Sequence, residues 1–129
     1  MLPKTFTITQ PTRLTFGAGS VDTLAALARS FGGTKAFLVV DPGVKQAGLL
    51  DKITTPLKRD KLAFEIYDQL TPEPGLKLAD KGCALAKKAK CDCVIGVGGG
   101  SAMDVAKAVA ILMTNGGKAK DYLGLGKIK

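Results

Sequence analysis

Apolar and polar positions along this chain repeat with two periods. Ala36–Val40 (AFLVV) and Cys93–Val97 (CVIGV) are continuous apolar runs, rich in β-branched residues, as strands buried on both faces of a parallel sheet require. Leu62–Tyr67 reads as the next strand. Lys4–Thr9 and Arg13–Gly17 alternate as a pair of short strands around Gln10-Pro11-Thr12. Elsewhere the period is helical. Val21, Leu24, Ala25, Leu27 and Ala28 make a stripe over Val21–Ser30, with Ser20 as N-cap and Gly32-Gly33 as the stop. Leu49, Leu50, Ile53 and Leu57 mark a helix over Val44–Asp60, which Pro56 is expected to kink or divide. Leu76–Lys90 turns Leu78, Leu85 and Ala89 inward and its lysines outward. A nearly uncharged helix over residues 101–114 ends at Asn115-Gly116-Gly117. The order β-β-α-β-α-β-α-β-α predicts an α/β fold, a mostly parallel sheet flanked by helices, as a single domain over residues 1–129.

One junction in that pattern carries chemistry. The strand Cys93–Val97 runs into Gly98, Gly99 and Gly100, then Ser101, where a helix N-cap is expected, with Asp104 three residues on as a variant capping box. A strand, a glycine turn and a buried helix aim free backbone N–H groups and the positive end of the helix dipole at one region. Bare glycines let a ligand reach the backbone, so a phosphate or pyrophosphate is the natural occupant; a plain tight turn is the competing reading. The loop is no Walker A motif, because no Lys-Ser/Thr pair closes it. It is no G-x-G-x-x-G either, because position 101 is serine.

Asp41 ends the strand Ala36–Val40. An acid beyond a strand's carboxyl end can accept hydrogen bonds from ribose hydroxyls and would repel a 2′-phosphate, which favours NAD over NADP. As the first residue of Asp41-Pro42-Gly43 it is equally suited to a turn. Asp104 and Lys107, three residues apart, fit an ion pair, and Asp104 alone fits a cap. On so apolar a helix they also fit a place beside a cofactor.

GGGSAMDVAKAVAILMTNGG, followed by Asp121-Tyr122-Leu123-Gly124, resembles the signature of the iron-containing alcohol dehydrogenase family. TRLTFGAGSVDTL, the strand end Val40-Asp41-Pro42-Gly43 and YDQLTPEP extend the resemblance through the chain. It covers the family's N-terminal, nucleotide-binding half, a Rossmann-like domain. It implies cofactor contacts at Asp41, Gly98, Gly99, Gly100, Ser101, Asp104 and Lys107, with Gly17–Ser20 beside the site. Where the family reads P-N-P-T, this chain reads Pro72-Glu73-Pro74-Gly75, without the amide or the capping hydroxyl.

The family chemistry is hydride transfer between a small alcohol or aldehyde and NAD, with Fe2+ or Zn2+ polarising the alcohol oxygen. The metal ligands there, an Asp and three His, belong to a helical C-terminal domain. This chain has no histidine and stops before that domain. The expectation is therefore the NAD(P)-binding portion of an alcohol dehydrogenase, with no metal site and no catalysis of its own, and with a homo-oligomer or a missing C-terminal partner as its protein partners. A stand-alone nucleotide-binding module and a non-enzymatic interaction module are the alternatives.

Composition narrows the remaining classes. The net charge is +8, with 16 lysines and three arginines, but the seven aromatics do not interleave with the basic clusters, so solvated faces are favoured over nucleic acid. No apolar run has the length of a membrane span, and MLPKTFTITQ lacks a signal-peptide core. Cys83, Cys91 and Cys93 are odd in number and lack CxxC spacing, which predicts reduced, buried residues in a cytoplasmic protein.

Overall fold

Strand β1 (Lys35–Val40) lies at the centre of an all-parallel sheet, between β2 (Ala63–Tyr67) and β3 (Cys93–Val97). The computed structural model describes residues 5, 7–71, 75–124 and 127–128. Among these, the helices are α1 (Leu24–Ser30), α2 (Pro42–Gln46), α3 (Leu50–Arg59), α4 (Leu76–Lys88) and α5 (Gly100–Asn115), with 3-10 turns at Ser20–Thr23 and Ala119–Tyr122. No helix among the described residues is long and apolar enough to cross a membrane.

The run Ala36–Val40 is buried throughout because the sheet is covered on both faces. Ala36, Leu38 and Val40 pack with Ala25 and Ala28 of α1 and Leu57 of α3. Phe37 and Val39 point the other way, onto Ala86 of α4 and Ala102, Val105, Ala106 and Val109 of α5. Phe37 stacks on Tyr67 with ring centroids 5.6 Å apart, and the Tyr67 hydroxyl donates to the Leu78 carbonyl at 3.0 Å. A Cβ on Gly82 would stand 2.9 Å from Val109 and 3.1 Å from Tyr67, so this glycine lets α4 lie close against α5. The result is three layers, helix–sheet–helix.

Several expectations are corrected. Of the expected strands Lys4–Thr9 and Arg13–Gly17, the described residues form no strand; Ile8, Leu14 and Phe16 are exposed, Phe16 at 97%. Alternation makes a strand only where a neighbouring strand supplies hydrogen bonds and a core receives one face, and neither adjoins the described residues of these segments. The expected helix over Val21–Ser30 opens as a 3-10 turn, with left-handed Gly19 as the cap residue in place of Ser20. The expected helix Val44–Asp60 breaks at Gly48 (φ +71) into α2 and α3, and Pro56 lies buried within an undivided α3. There its missing N–H forfeits one bond, to Lys52. Helix α4 stops at Lys88, and left-handed Lys90 lets Cys91 N–H bond the Ala86 carbonyl at 2.9 Å. β3, expected to be buried, is only half covered because it forms the edge of the sheet.

At the amino ends of β1 and β3, Asp92 ties the two strands. Its carboxylate accepts the N–H groups of Thr34 at 2.8 Å and Lys35 at 2.9 Å, and the Thr34 hydroxyl. These bonds hold its carboxyl well below the ordinary range, at about 2, with the Thr34 hydroxyl contributing most. Asp92→Asn is expected to cost about 1 kcal/mol at neutral pH. A depressed acid stabilises the fold above its unfolded pKa of about 3.9 and loses that contribution as protonation overtakes it. Urea unfolding of both proteins should therefore show a constant gap above pH ~5 that closes between pH ~4 and ~2.

Candidate functional site

The carboxyl ends of β1 and β3 open on the same side of the sheet. The chain leaving β1 passes through α2, whose Val44 packs on the α1/α3 face, whereas the chain leaving β3 enters α5 on the opposite face. Connections that diverge in this way leave a crevice between neighbouring strands, the place where open α/β sheets bind ligands. Here it is a cleft of about 450 Å³ lined by Asp41, Pro42, Gly43, Gln46, Leu70, Thr71 and Ser101.

The three glycines are there for different reasons. Gly98 has φ +141, and a Cβ on it would stand 2.4 Å from the Asp41 Cβ and 3.2 Å from that of Ala102. Asp41 N–H donates to the Val97 carbonyl at 2.8 Å, so the ends of β1 and β3 touch at this point. Gly99 and Gly100 have no atom within 4 Å of where a Cβ would stand, and neither has a left-handed φ. Neither packing nor backbone conformation demands glycine at these two positions; what their bareness provides is open space above the start of α5.

Helix α5 begins one residue earlier than expected. Gly99, with extended backbone, is the cap residue, and no side chain caps the helix. Ser101 is already helical, so it is not the N-cap and Asp104 closes no capping box; the Ser101 side chain instead borders the cleft. Met103 N–H makes the first helical bond, to the Gly99 carbonyl at 3.1 Å. The N–H groups of Gly100, Ser101 and Ala102 have no acceptor among the described residues. A 16-residue helix thus presents bare donors and its positive dipole end at the cleft.

Across the cleft, Asp41 is the N-cap of α2, with Oδ1 accepting Gly43 N–H at 2.7 Å. The turn role open to it from the sequence is therefore real. A carboxylate that spends one oxygen on a cap still has acceptor capacity on the other. Asp104 and Lys107 form an ion pair of 3.9 Å, with side chains 78% and 72% exposed. They lie on the solvent face of α5, so the apolar character of the helix buries neither. Lys107 borders a groove with Val94, Gly96, Met103, Ala106 and Ala110 along β3, away from the cleft.

The structure therefore brings Asp41 and Ser101 to one cleft, with Gly98 packed against Asp41, and leaves Gly98, Gly99, Gly100, Asp104 and Lys107 off its lining. Gln46, Leu70 and Thr71 line the cleft and were not picked out from the sequence. The signal was positional, since all three lie in segments that follow the carboxyl ends of β1 and β2. Pro72, Glu73 and Pro74 lie outside the described residues, while Gly75 begins α4 without a side-chain cap. Among the described residues no group of three His, Cys, Asp or Glu side chains could hold a metal ion. Cys83 and Cys91 are buried and Cys93 is half-buried, all three packed in the core clusters; burial pushes the Cys93 thiol up to about 11.

Gly98→Ala is expected to destabilise the fold by about 1–3 kcal/mol, through backbone strain and the clash with Asp41. Gly99→Ala and Gly100→Ala should stay within about 0.5 kcal/mol of the parent, since each methyl enters open space. Chemical denaturation of the three variants checks the contrast.

The match to known proteins is broad. Residues 11–129 fit the sequence model of the family described as iron-containing alcohol dehydrogenase. Long-chain-alcohol dehydrogenase 1 of Geobacillus thermodenitrificans is 38% identical over 109 residues, 84% of this chain and 28% of that protein. The crystal structure of NADH-dependent butanol dehydrogenase A from Thermotoga maritima superposes with a TM-score of 0.86 at 29% identity, covering 97% of this chain and 31% of that one. Sulfoacetaldehyde reductase from Bifidobacterium kashiwanohense, solved in complex with NAD+, superposes with a TM-score of 0.82 at 25% identity, over 96% of this chain and 32% of that one. The chain thus spans about a third or less of the length of these relatives. With its strand–GGGS–helix junction at a switch-point cleft and a family match over residues 11–129, the chain belongs to the iron-containing alcohol dehydrogenase family.

Proposed function

We propose that this chain holds the nicotinamide cofactor, NAD in preference to NADP, of a metal-dependent alcohol dehydrogenase, and does not turn over by itself. One observation carries the reading: the uncapped first turn of α5 and the Asp41 carboxylate face one cleft at the β1/β3 switch point. The bare N–H groups at Gly100, Ser101 and Ala102 suit a pyrophosphate, and the space above Gly99 and Gly100 lets it approach the backbone. Asp41, its Oδ1 held by Gly43, would accept ribose hydroxyls with Oδ2 and repel a 2′-phosphate. Asp104 and Lys107 belong to the proposed contact set through the family motif they share, not through the cleft.

When bound, NAD supplies a hydride acceptor for the alcohol carbon. The chain's own part is to orient that cofactor and screen its charge. The described residues do not fit the family's metal, having no suitable group of three ligands, and the sequence has no histidine. No step is assigned to a metal on this chain. Turnover is proposed to need ligands from outside these 129 residues.

NADH and NADPH titrations at low and high salt, read by cofactor fluorescence, test the reading. NADH should saturate in both buffers. Asp41→Asn, which keeps an acceptor for Gly43 N–H but removes the charge, should raise NADPH affinity relative to NADH about tenfold. Equal, salt-sensitive binding of both cofactors would reduce the site to a basic surface. Alcohol, NAD and iron or zinc added together should give no NADH; turnover would end the inactive-alone reading.

A further inference from the structure

Beyond Asp41, a second charge arrangement borders the cleft, on residues next to its lining. Helix α2 reads Pro-Gly-Val-Lys-Gln, and its Pro42, Gly43 and Gln46 line the cleft. Lys45, next to Gln46, is the one cation on that helix. Its backbone N–H reaches the Asp41 carbonyl at 3.5 Å, so the residue sits over the Asp41 turn. Lys45 itself is off the cleft lining, one residue from Gln46, close enough for its long side chain to swing towards a phosphate at the rim. Its ammonium, however, is bound at 2.6 Å to Oδ2 of Asp68. Asp68 directly follows β2 and lies on the segment whose Leu70 and Thr71 form the other side of the cleft. The Lys45 hydrogen bond holds the Asp68 carboxyl below its ordinary range.

We propose that Asp68 is a specificity-positioning residue: by tying Lys45 to the end of β2, it withholds the α2 cation from a 2′-phosphate at the ribose end of the cleft. This rests on the cofactor reading above and deepens it. Selection against the phosphate then has two parts, the charge of Asp41 within the cleft and the capture of Lys45 at its rim. The capture acts only through Lys45, which separates it from a general effect of Asp68 on the shape of the site. Both side chains are partly solvated, at 58% and 30% exposure, so removing the pair should leave the fold standing.

The experiment uses the full chain in the Asp41→Asn background, where NADPH binding is expected to rise, and adds Asp68→Asn, Asp68→Glu, and Asp68→Asn with Lys45→Ala. NADH and NADPH are titrated against each. Asp68→Asn should tighten NADPH about threefold to tenfold, in a salt-sensitive way, and leave NADH unchanged. Asp68→Glu should restore the parent ratio, and Lys45→Ala should cancel the gain. Equal weakening of both cofactors in Asp68→Asn would overturn the proposal and make the ion pair a structural strap. A gain that survives Lys45→Ala, or no change in the ratio while NADH still binds, would overturn it and leave the cofactor reading intact. Absence of NADH binding by the unsubstituted chain would overturn both.

Discussion

The ends of β1 and β3 meet where no side chain can stand between them. Asp41 gives its N–H to the Val97 carbonyl, and the next residue, Gly98, passes so near the Asp41 Cβ that even a methyl group would collide with it. From that contact the rest of the site follows. The chain beyond Gly98 has to turn into α5 at once, so the first donors of the helix open towards Asp41. The same carboxylate is placed to cap α2, which fixes the opposite wall. One close approach thus orients two helices and one acid.

The sheet is secured at both of its ends, by unlike means. At the amino ends a single carboxylate, Asp92, gathers two backbone N–H groups and a hydroxyl and bridges β1 to β3. At the carboxyl ends a missing side chain does the work. Between them β1 is buried on both faces, with α1 and α3 against one and α4 and α5 against the other. The donors at the start of α5 have no acceptor among the described residues and open beside the cleft, and an unmet donor beside open space is where an anion gains most.

The three parallel strands were legible to within a residue, because short apolar runs at Ala36–Val40 and Cys93–Val97, and the Phe64–Tyr67 stretch of Leu62–Tyr67, lie between turn and helix signals. Helix ends were harder to read. Lys61 and Lys90 take the left-handed conformation normally signalled by glycine, and their backbone bonds close α3 and α4 without a marker in the sequence. Pro56 does not divide α3. A proline lying in a helix costs one bond, whereas Gly48 upstream offered a cheaper break. The alternation at Arg13–Gly17 was real as a pattern, but a pattern cannot supply the neighbouring strand that alternation serves.

At the site, the sequence by itself determined the ingredients: an acid after one strand, three glycines and a serine after another, and an apolar helix behind them. Local chemistry is enough for that, since turns, caps and burial periods act over a few residues. Only the tertiary structure decided how they are used. It separated Gly98, required by a clash, from Gly99 and Gly100, required by nothing in the fold. It turned Asp104 and Lys107 to solvent and brought Gln46, Leu70 and Thr71 into the cleft. Those distinctions depend on which strand lies beside which, and strand order is set by packing between segments far apart in the chain, which no short stretch of sequence encodes.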